Sequence, residues 1–509
     1  MKSRVKKYFE RAKANDLIAL SFFGLLSAFG FSPFNLFFLS LIGFAFYFIK
    51  FENAASTKQA LKDTFAFAFC FHFASLYWFA CPLLVSPEKH AIFIPFALTL
   101  APAYLSLFWL VPAFLVKKYG RGLWQDALVL SAFSSLTMFF YGHYLPGFPW
   151  VYIGYIWSFS DTMMQSLSLL GIHGLNFITV ILSFMLAIIY EAFQKKDKLN
   201  LRIAGVSVIC LIVAMFVFGY WRLLRYPTEF TSYKARIVQG NLSQREKMDK
   251  NEVFTNLQKH VALSEHSSFI DFIIWPEASI PYLYRENSWK LNRLLQSPLS
   301  YGETLIAGAV REDITTHKIF NSVIVVDCFG RNTECYDKIR LVPFGEYIPL
   351  RKYLPWKGLA VDIGDFDRGD KTRIIEVNGL KIVFAICYEA VFPQDFIPKE
   401  GHADAIINVT NDAWFGCTIE PFQHLQIVRA RAIESGLPLI RVTNFGISAV
   451  FDALGRELGR VPICEHGVFD FFVPKNIPVT PYGRFGDRIF FLLVLISFGL
   501  SFALKKGRE

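Results

Sequence analysis

The sequence predicts a chain of two kinds of structure: a membrane domain of about eight α-helices, and an α/β domain set between its last two spans. Three observations carry that expectation. Of the 509 residues, 53% are hydrophobic and 17% aromatic, far from the balance of an ordinary soluble domain. Most of the apolar residues collect in runs near the roughly 20 residues that cross a bilayer. Between residues 222 and 487 those runs give way to short β-branched segments ending in polar turns, which is how strands read.

The N-terminal MKSRVKKYFERAKAND is basic and amphipathic, and an apolar run from Leu17 to Phe31 follows it. No small-residue cleavage site comes after that run and further apolar stretches do, so it reads as a retained first span rather than a signal peptide. The remaining runs lie at about 34–49, 64–84, 91–116, 125–141, 163–190, 203–221 and 489–504. With the first they make eight helices, allowing for tilt and interfacial ends. The expected organisation is a membrane domain over 1–221 with about seven spans, a domain outside the membrane over 222–487, and a last span with a basic tail over 488–509.

Orientation follows from the short loops. With a cytoplasmic N-terminus, the inner segments carry Lys2, Arg4, Lys6, Lys7, Arg11 and Lys13, then Lys50, Lys58 and Lys62, then Lys117, Lys118 and Arg121, then Lys195, Lys196, Lys198 and Arg202, and finally Lys505, Lys506 and Arg508. The short outer loops carry only Lys89. The positive-inside bias therefore places 222–487 on the far side of the membrane. The net charge of +10 comes from these loops and not from a basic stripe with RNA-binding motifs, so nucleic acid is not an expected partner.

Within the α/β domain, KIVFAICYEAV (Lys381 to Val391) delivers Cys387 from a strand to a loop edge. An isolated cysteine is more often a small buried hydrophobe. Two other motifs change that reading. IIWPEASIP (Ile273 to Pro281) ends a strand at Glu277, and YDKIRLVPFGEY (Tyr336 to Tyr347) supplies Lys338 and, after a turn, Glu346. Taken singly, each is a charged loop. Together they offer a nucleophile, a base for its proton and a cation for a developing oxyanion, as acyl transfer through a thiol requires.

The order Glu277, Lys338, Cys387, each at the end of an apolar strand, resembles the nitrilase (carbon-nitrogen hydrolase) superfamily. The resemblance implies a catalytic triad of these three residues and an αββα sandwich. It extends through NVTNDAWFG (Asn408 to Gly416) and RVTNFGISAVFD (Arg441 to Asp452). A domain of this kind before the last of eight spans, with CYE at Cys387 to Glu389, WPEAS at Trp275 to Ser279 and VPFGEYIPL at Val342 to Leu350, resembles the apolipoprotein N-acyltransferase family over essentially the whole chain.

That resemblance implies transfer of an acyl chain from a membrane phospholipid to the N-terminal α-amine of a diacylglyceryl-modified apolipoprotein. It also implies a bacterial inner (cytoplasmic) membrane location with the catalytic domain periplasmic. The site chemistry fits: the Cys387 thiolate attacks the ester, Glu277 takes the proton, Lys338 holds the oxyanion, and the thioacyl enzyme passes its chain to the amine in ping-pong order. Glu346 is expected to orient Lys338, and Tyr388 and Glu389 are carried over as supporting or substrate-binding residues. No cofactor, nucleotide or metal is expected, and the enzyme is expected to be a monomer. The rival readings are a membrane-anchored nitrilase-type amidase hydrolysing a C–N bond with the same triad, and a transporter whose outer domain has lost catalysis. The multispan frame speaks against the first, and the intact triad against the second.

Four further expectations concern segments away from the triad. The connection from Glu346 to Asp367, with Leu350, Leu354, Trp356 and Leu359 beside Arg351, Lys352 and Lys357, reads as a membrane-facing lid. YGHYLPGFPWVYIGY (Tyr141 to Tyr155) reads as an interfacial aromatic belt, and His143 and His173, with no second ligand at metal spacing, as packing or hydrogen-bonded residues. Of the eight cysteines, Cys328 and Cys335, on an expected hairpin, form the nearest pair for a disulfide, and the others are expected to be free. Met248 stands where the family often has a Trp, which leaves any aromatic contact there in question.

Overall fold

A computed structural model describes residues 2–120, 122–286, 288–349, 353, 365–370, 374–396 and 403–506. The chain divides into two compact units. One comprises Met1–Ala80, Lys89–Leu224 and Phe485–Glu509, the other Cys81–Glu88 and Arg225–Arg484.

Every expected apolar run of the first unit is helical: Lys2–Ser27, Phe37–Asn53, Thr57–Ser75, Ile94–Tyr119, Leu123–His143, Leu167–Gln194, Lys198–Arg225 and Arg488–Lys506. Among the described residues, four helices are long and apolar enough to cross a membrane: Pro87–Tyr119, Leu123–His143, Leu167–Gln194 and Lys198–Arg225. A fifth results if Thr57–Ser75 and Tyr77–Leu84, bent by 43°, make one span. The expected eight are therefore not all reached on length and apolarity. The first run is apolar only over Asn15–Gly30 and the last only over Arg488–Leu504, while Phe37–Asn53 has 17 residues and ends on Lys50 and Glu52.

Aromatic rings fill this unit. Phe48 stacks on Phe184 at 4.4 Å, and Phe44 meets Phe67 edge-on at 5.2 Å. The Tyr141 to Tyr155 segment joins that interior in part: Trp150, Tyr152 and Tyr155 are buried, while Tyr144 and Leu145 are exposed. Tyr152 donates its hydroxyl to the Met138 carbonyl at 3.1 Å, which removes the polar tip that would otherwise seek headgroups.

The second unit is two stacked sheets with helices outside. One sheet runs Gly467–Pro474, Phe230–Gln239, Phe272–Ile274, Thr304–Glu312, Ile319–Asp327, Asn332–Asp337, with Ile280–Tyr284 also paired to Thr304–Glu312. The other runs Glu457–Val461, Ser448–Phe451, Leu439–Thr443, Ala405–Thr410, Leu380–Ile386, Ile374–Val377. Strand periodicity sorts the side chains into layers. Ile382, Phe384 and Ile386 meet Ile237, Ile274 and Val323 in the core between the sheets. Val383 and Ala385 turn the other way, onto Leu425, Val428 and Ala432 of the helix Glu420–Ser435. On the opposite side Ile273 and Trp275 pack with Leu257, Leu291 and Leu295, which come from Val253–Ser264 and Trp289–Gln296. The result is the αββα sandwich.

Candidate active site

Glu277 stands on a loop that follows the strand Phe272–Ile274 and crosses directly over Thr304–Glu312. Trp275 N–H donates to the Ile306 carbonyl at 2.8 Å and Ser279 N–H to the Gly308 carbonyl at 2.9 Å. A Cβ at Gly308 would lie 2.4 Å from the Pro276 carbonyl oxygen and 2.6 Å from Glu277 Cα. Only glycine lets the loop pass at that height, so Gly308 sets the depth at which Glu277 enters the site. The Glu277 residue is 7% exposed.

Lys338 leaves the end of the strand Asn332–Asp337 and is 1% exposed. Its Nζ lies 2.9 Å from Glu346 Oε1 and 3.4 Å from Glu277 Oε1. Asn321, one strand over, donates its Nδ2 to those same two oxygens at 2.7 Å each, and its carbonyl receives the Lys338 N–H at 2.8 Å. The second Glu346 oxygen accepts the Val342 N–H at 2.7 Å. Two carboxylates thus share two donors. Burial by itself would neutralise the Lys338 amine. The fields of Glu346, Glu277 and Cys387 more than offset it and hold the group charged well above its ordinary range.

Cys387 begins a short 3₁₀ turn, Cys387–Val391, with φ at 49°. A non-glycine residue in that region is strained, and such strain is held only where the surroundings over-determine it. Burial pushes the thiol up, Glu277 and Asp412 push it further, and Lys338 and a hydrogen bond from Thr410 pull it back. The resting group is a thiol, with its prospective base and cation both near enough to act on it.

Glu389 braces the site through the backbone. It is fully buried. Its carboxylate accepts the backbone N–H groups of Ile339 at 2.8 Å, Arg340 at 3.0 Å and Ile386 at 2.9 Å, with the Tyr336 hydroxyl at 2.9 and 3.0 Å. It therefore clamps the residue after Lys338 to the residue before Cys387. Tyr388 is half-buried with its ring edge-on to Phe392 at 5.1 Å, and burial, followed by Tyr347, raises its hydroxyl.

Behind the cysteine lies a polar network that motif reading left without roles. Arg441 donates to Asp412 at 2.6 Å and to Asn408 at 2.7 Å. His424 Nδ1 lies 3.2 Å from Asp412, and the ring also hydrogen-bonds the Cys387 backbone. Asp412 stays well ionised because Arg441 and His424 outweigh its burial. His424 is driven to about 4 by burial and by Arg441. Asp412, Glu420 and His424 could together ligate a metal, but the guanidinium of Arg441 already supplies the cation. An arginine inside RVTN, otherwise a β-branched strand, was the available signal: a buried charge needs a partner.

Two more groups complete the surroundings. Lys247, at the end of the short helix Gln244–Met248, donates to the Glu277 carbonyl at 3.2 Å, and burial takes its amine down to about 8 against the pull of Glu277. Met248 is exposed. The disulfide joins Cys417 to Cys464, not Cys328 to Cys335. Cys328 sits in the turn just past the strand Ile319–Asp327 and Cys335 within the next strand, and sequence proximity does not align their Cβ vectors. Leu350, Leu354, Trp356 and Leu359, on which the lid reading rests, lie outside the described residues.

Comparison with known proteins matches two family models: carbon-nitrogen hydrolase over residues 234–469, and the apolipoprotein N-acyltransferase N-terminal domain over residues 23–185. The apolipoprotein N-acyltransferase of Rickettsia bellii is 33% identical over 95% of this chain and 96% of its own. That of Rickettsia prowazekii is 33% identical over 94% and 97%, and that of Brucella melitensis 34% identical over 86% and 84%.

Proposed function

Because the chain belongs to the apolipoprotein N-acyltransferase family, we propose that it N-acylates apolipoproteins by moving an acyl chain from a phospholipid, through a thioester on Cys387, to the amine of the diacylglyceryl-modified N-terminal cysteine. Cys387 Sγ attacks the ester carbonyl while Glu277 takes the thiol proton. Lys338 and neighbouring backbone N–H groups meet the oxyanion, and the lysophospholipid leaves with the proton that Glu277 returns. The acceptor amine then attacks the thioester, Glu277 takes its proton, and the amide departs with the thiol restored. Glu346 and Asn321 hold Lys338 and Glu277, Glu389 holds the two segments that carry Lys338 and Cys387, and Tyr388 shapes the acyl pocket.

The observation that carries this reading is the placement of Lys338 Nζ between Glu346 at 2.9 Å and Glu277 at 3.4 Å, with the Cys387 thiol in the field of both Lys338 and Glu277. A monomer with its catalytic unit on the periplasmic side of the inner membrane is consistent with the basic inner loops and with a disulfide in that unit.

The deciding experiment is intact-mass measurement of the purified enzyme after incubation with phospholipid alone. One acyl adduct is expected, mapped to Cys387 and absent in Cys387→Ala. Normal turnover by Cys387→Ala, or an adduct elsewhere, rejects the thioester route. Release of free fatty acid with no transfer to a lipopeptide amine identifies a hydrolase instead.

A further inference from the structure

We propose that Lys247 is a positioning residue for acyl transfer: its side chain holds the backbone carbonyl of Glu277 and so fixes where that carboxylate stands relative to Cys387 and Lys338. The inference rests on Glu277 being the base proposed above.

The turn that carries Glu277 needs such a hold. Ala278, the next residue, has φ at 47°, a region in which a residue with a Cβ is strained and stays only where its surroundings over-determine it. The strand Thr304–Glu312 supplies part of that constraint: the Gly308 carbonyl accepts the Ser279 N–H at 2.9 Å, and the Gly308 N–H donates to the Pro276 carbonyl at 3.2 Å. Neither bond reaches the peptide between Glu277 and Ala278. Lys247 does, its Nζ donating to the Glu277 carbonyl at 3.2 Å. Holding that carbonyl fixes the rotation of the peptide, and with it the direction in which the Glu277 side chain leaves the backbone.

A lysine can hold a turn only if its own backbone is fixed, and this one is tied to the other sheet. Ser243 and Glu246 close a capping box at the start of the helix Gln244–Met248. Asn444 accepts the Leu242 N–H at 3.2 Å and donates to the Leu242 carbonyl at 2.6 Å, and Asn411 donates to Gln244 Oε1 at 2.9 Å. Asn411 and Asn444 directly follow Ala405–Thr410 and Leu439–Thr443, paired strands of the sheet that also delivers Cys387. Glu277 comes from the opposite sheet. Lys247 is therefore a strut between the two, and it sets base against nucleophile. The bond is charge-assisted while Lys247 keeps its proton. Burial lowers that amine to about 8 and Glu277 pulls it back up. His260, on the helix Val253–Ser264, is also coupled to it and stays neutral because burial takes the ring to about 4. A lowered lysine loses its charge as pH rises through its own value, so the hold weakens above about pH 8.

The test is single-turnover acylation of the full chain in detergent by phospholipid alone, followed by intact mass across neutral and alkaline pH, for the wild type, Lys247→Met and Lys247→Arg. Lys247→Met should slow acylation on the order of tenfold or more without changing the phospholipid concentration that gives half the maximal rate, and Lys247→Arg should recover most of the loss. The wild-type rate should fall above about pH 8. That fall should be absent in Lys247→Met and displaced upward in Lys247→Arg, whose guanidinium stays charged. An unchanged rate in Lys247→Met, an effect confined to phospholipid affinity, or the same alkaline fall in all three proteins overturns the proposal. Hydrogen exchange separates a local hold from general support: Lys247→Met should speed exchange of the Ser279 amide and leave the strand Ala405–Thr410 as slow as in the wild type, and equal acceleration of both overturns the positioning role. Should Lys247→Met fail to fold, the wild type and Lys247→Arg decide by where their alkaline falls lie. Should the wild type form no acyl adduct at all, the thioester reading fails, and exchange at Ser279 still decides whether Lys247 holds the turn.

Discussion

Lys338 lies closer to Glu346 than to Glu277, its Nζ at 2.9 Å from the one and 3.4 Å from the other. Under the proposed mechanism, in which Glu277 carries the proton and Glu346 does not, the carboxylate that stays ionised is the tighter partner of the cation. That division would keep Lys338 anchored while Glu277 alternates between its protonated and ionised forms. Replacing Glu346 with Gln removes that anchor, and both the acylation rate and kcat should fall about 10- to 100-fold, equivalent to roughly 1.4 to 2.7 kcal/mol. Single-turnover acylation followed by intact mass checks this. An unchanged rate removes Glu346 from the mechanism.

Asn321 should behave as a positioning residue. Its amide holds Glu277 and Glu346 at 2.7 Å each, so Asn321→Ala is expected to lower kcat on the order of tenfold while leaving KM for phospholipid nearly unchanged. Asn321→Asp, which sets a third carboxylate beside the other two, should be slower still. A change confined to KM would contradict the assignment.

Glu389→Ala strands three backbone N–H groups and the Tyr336 hydroxyl, all now served by one carboxylate. A loss of about 3 kcal/mol or more of stability is expected, against about 1 kcal/mol for Tyr336→Phe. Thermal unfolding in detergent measures both. Equal, small shifts would show that the clamp is not structural.

The pH dependence of Cys387 alkylation follows from the causes of its shift: burial first and Glu277 next raise the thiol, and Lys338 lowers it. A raised thiol keeps its proton past the free value near 8.5, so iodoacetamide should label Cys387 appreciably only above the pH at which a free thiol reacts. Glu277→Gln removes a raising charge and should move the profile to lower pH. Lys338→Met removes the lowering charge and should move it higher. Shifts in the opposite directions would refute the electrostatic picture.

The Cys417–Cys464 bond closes a loop across 47 residues of sequence separation. Loop-closure entropy assigns such a link about 4 kcal/mol. Reductant should lower the melting temperature of the wild type and leave a Cys417→Ser, Cys464→Ser double variant unaffected. Free thiols at both positions in protein purified without reductant would exclude the bond.

By itself the sequence determined the two-part architecture and named the candidate reacting groups. Apolar run length and strand periodicity are local signals, and WPE, the Lys338 to Glu346 segment and CYE each keep their chemistry and spacing on contiguous residues. Only the tertiary structure decided how those groups are supported. Asn321 bridges two carboxylates from a strand that reads as ordinary core. How Glu389 supports the site, as a clamp on backbone amides and the Tyr336 hydroxyl, carries no sequence mark. The disulfide went to Cys417 and Cys464 because Cβ geometry, not proximity along the chain, selects a pair.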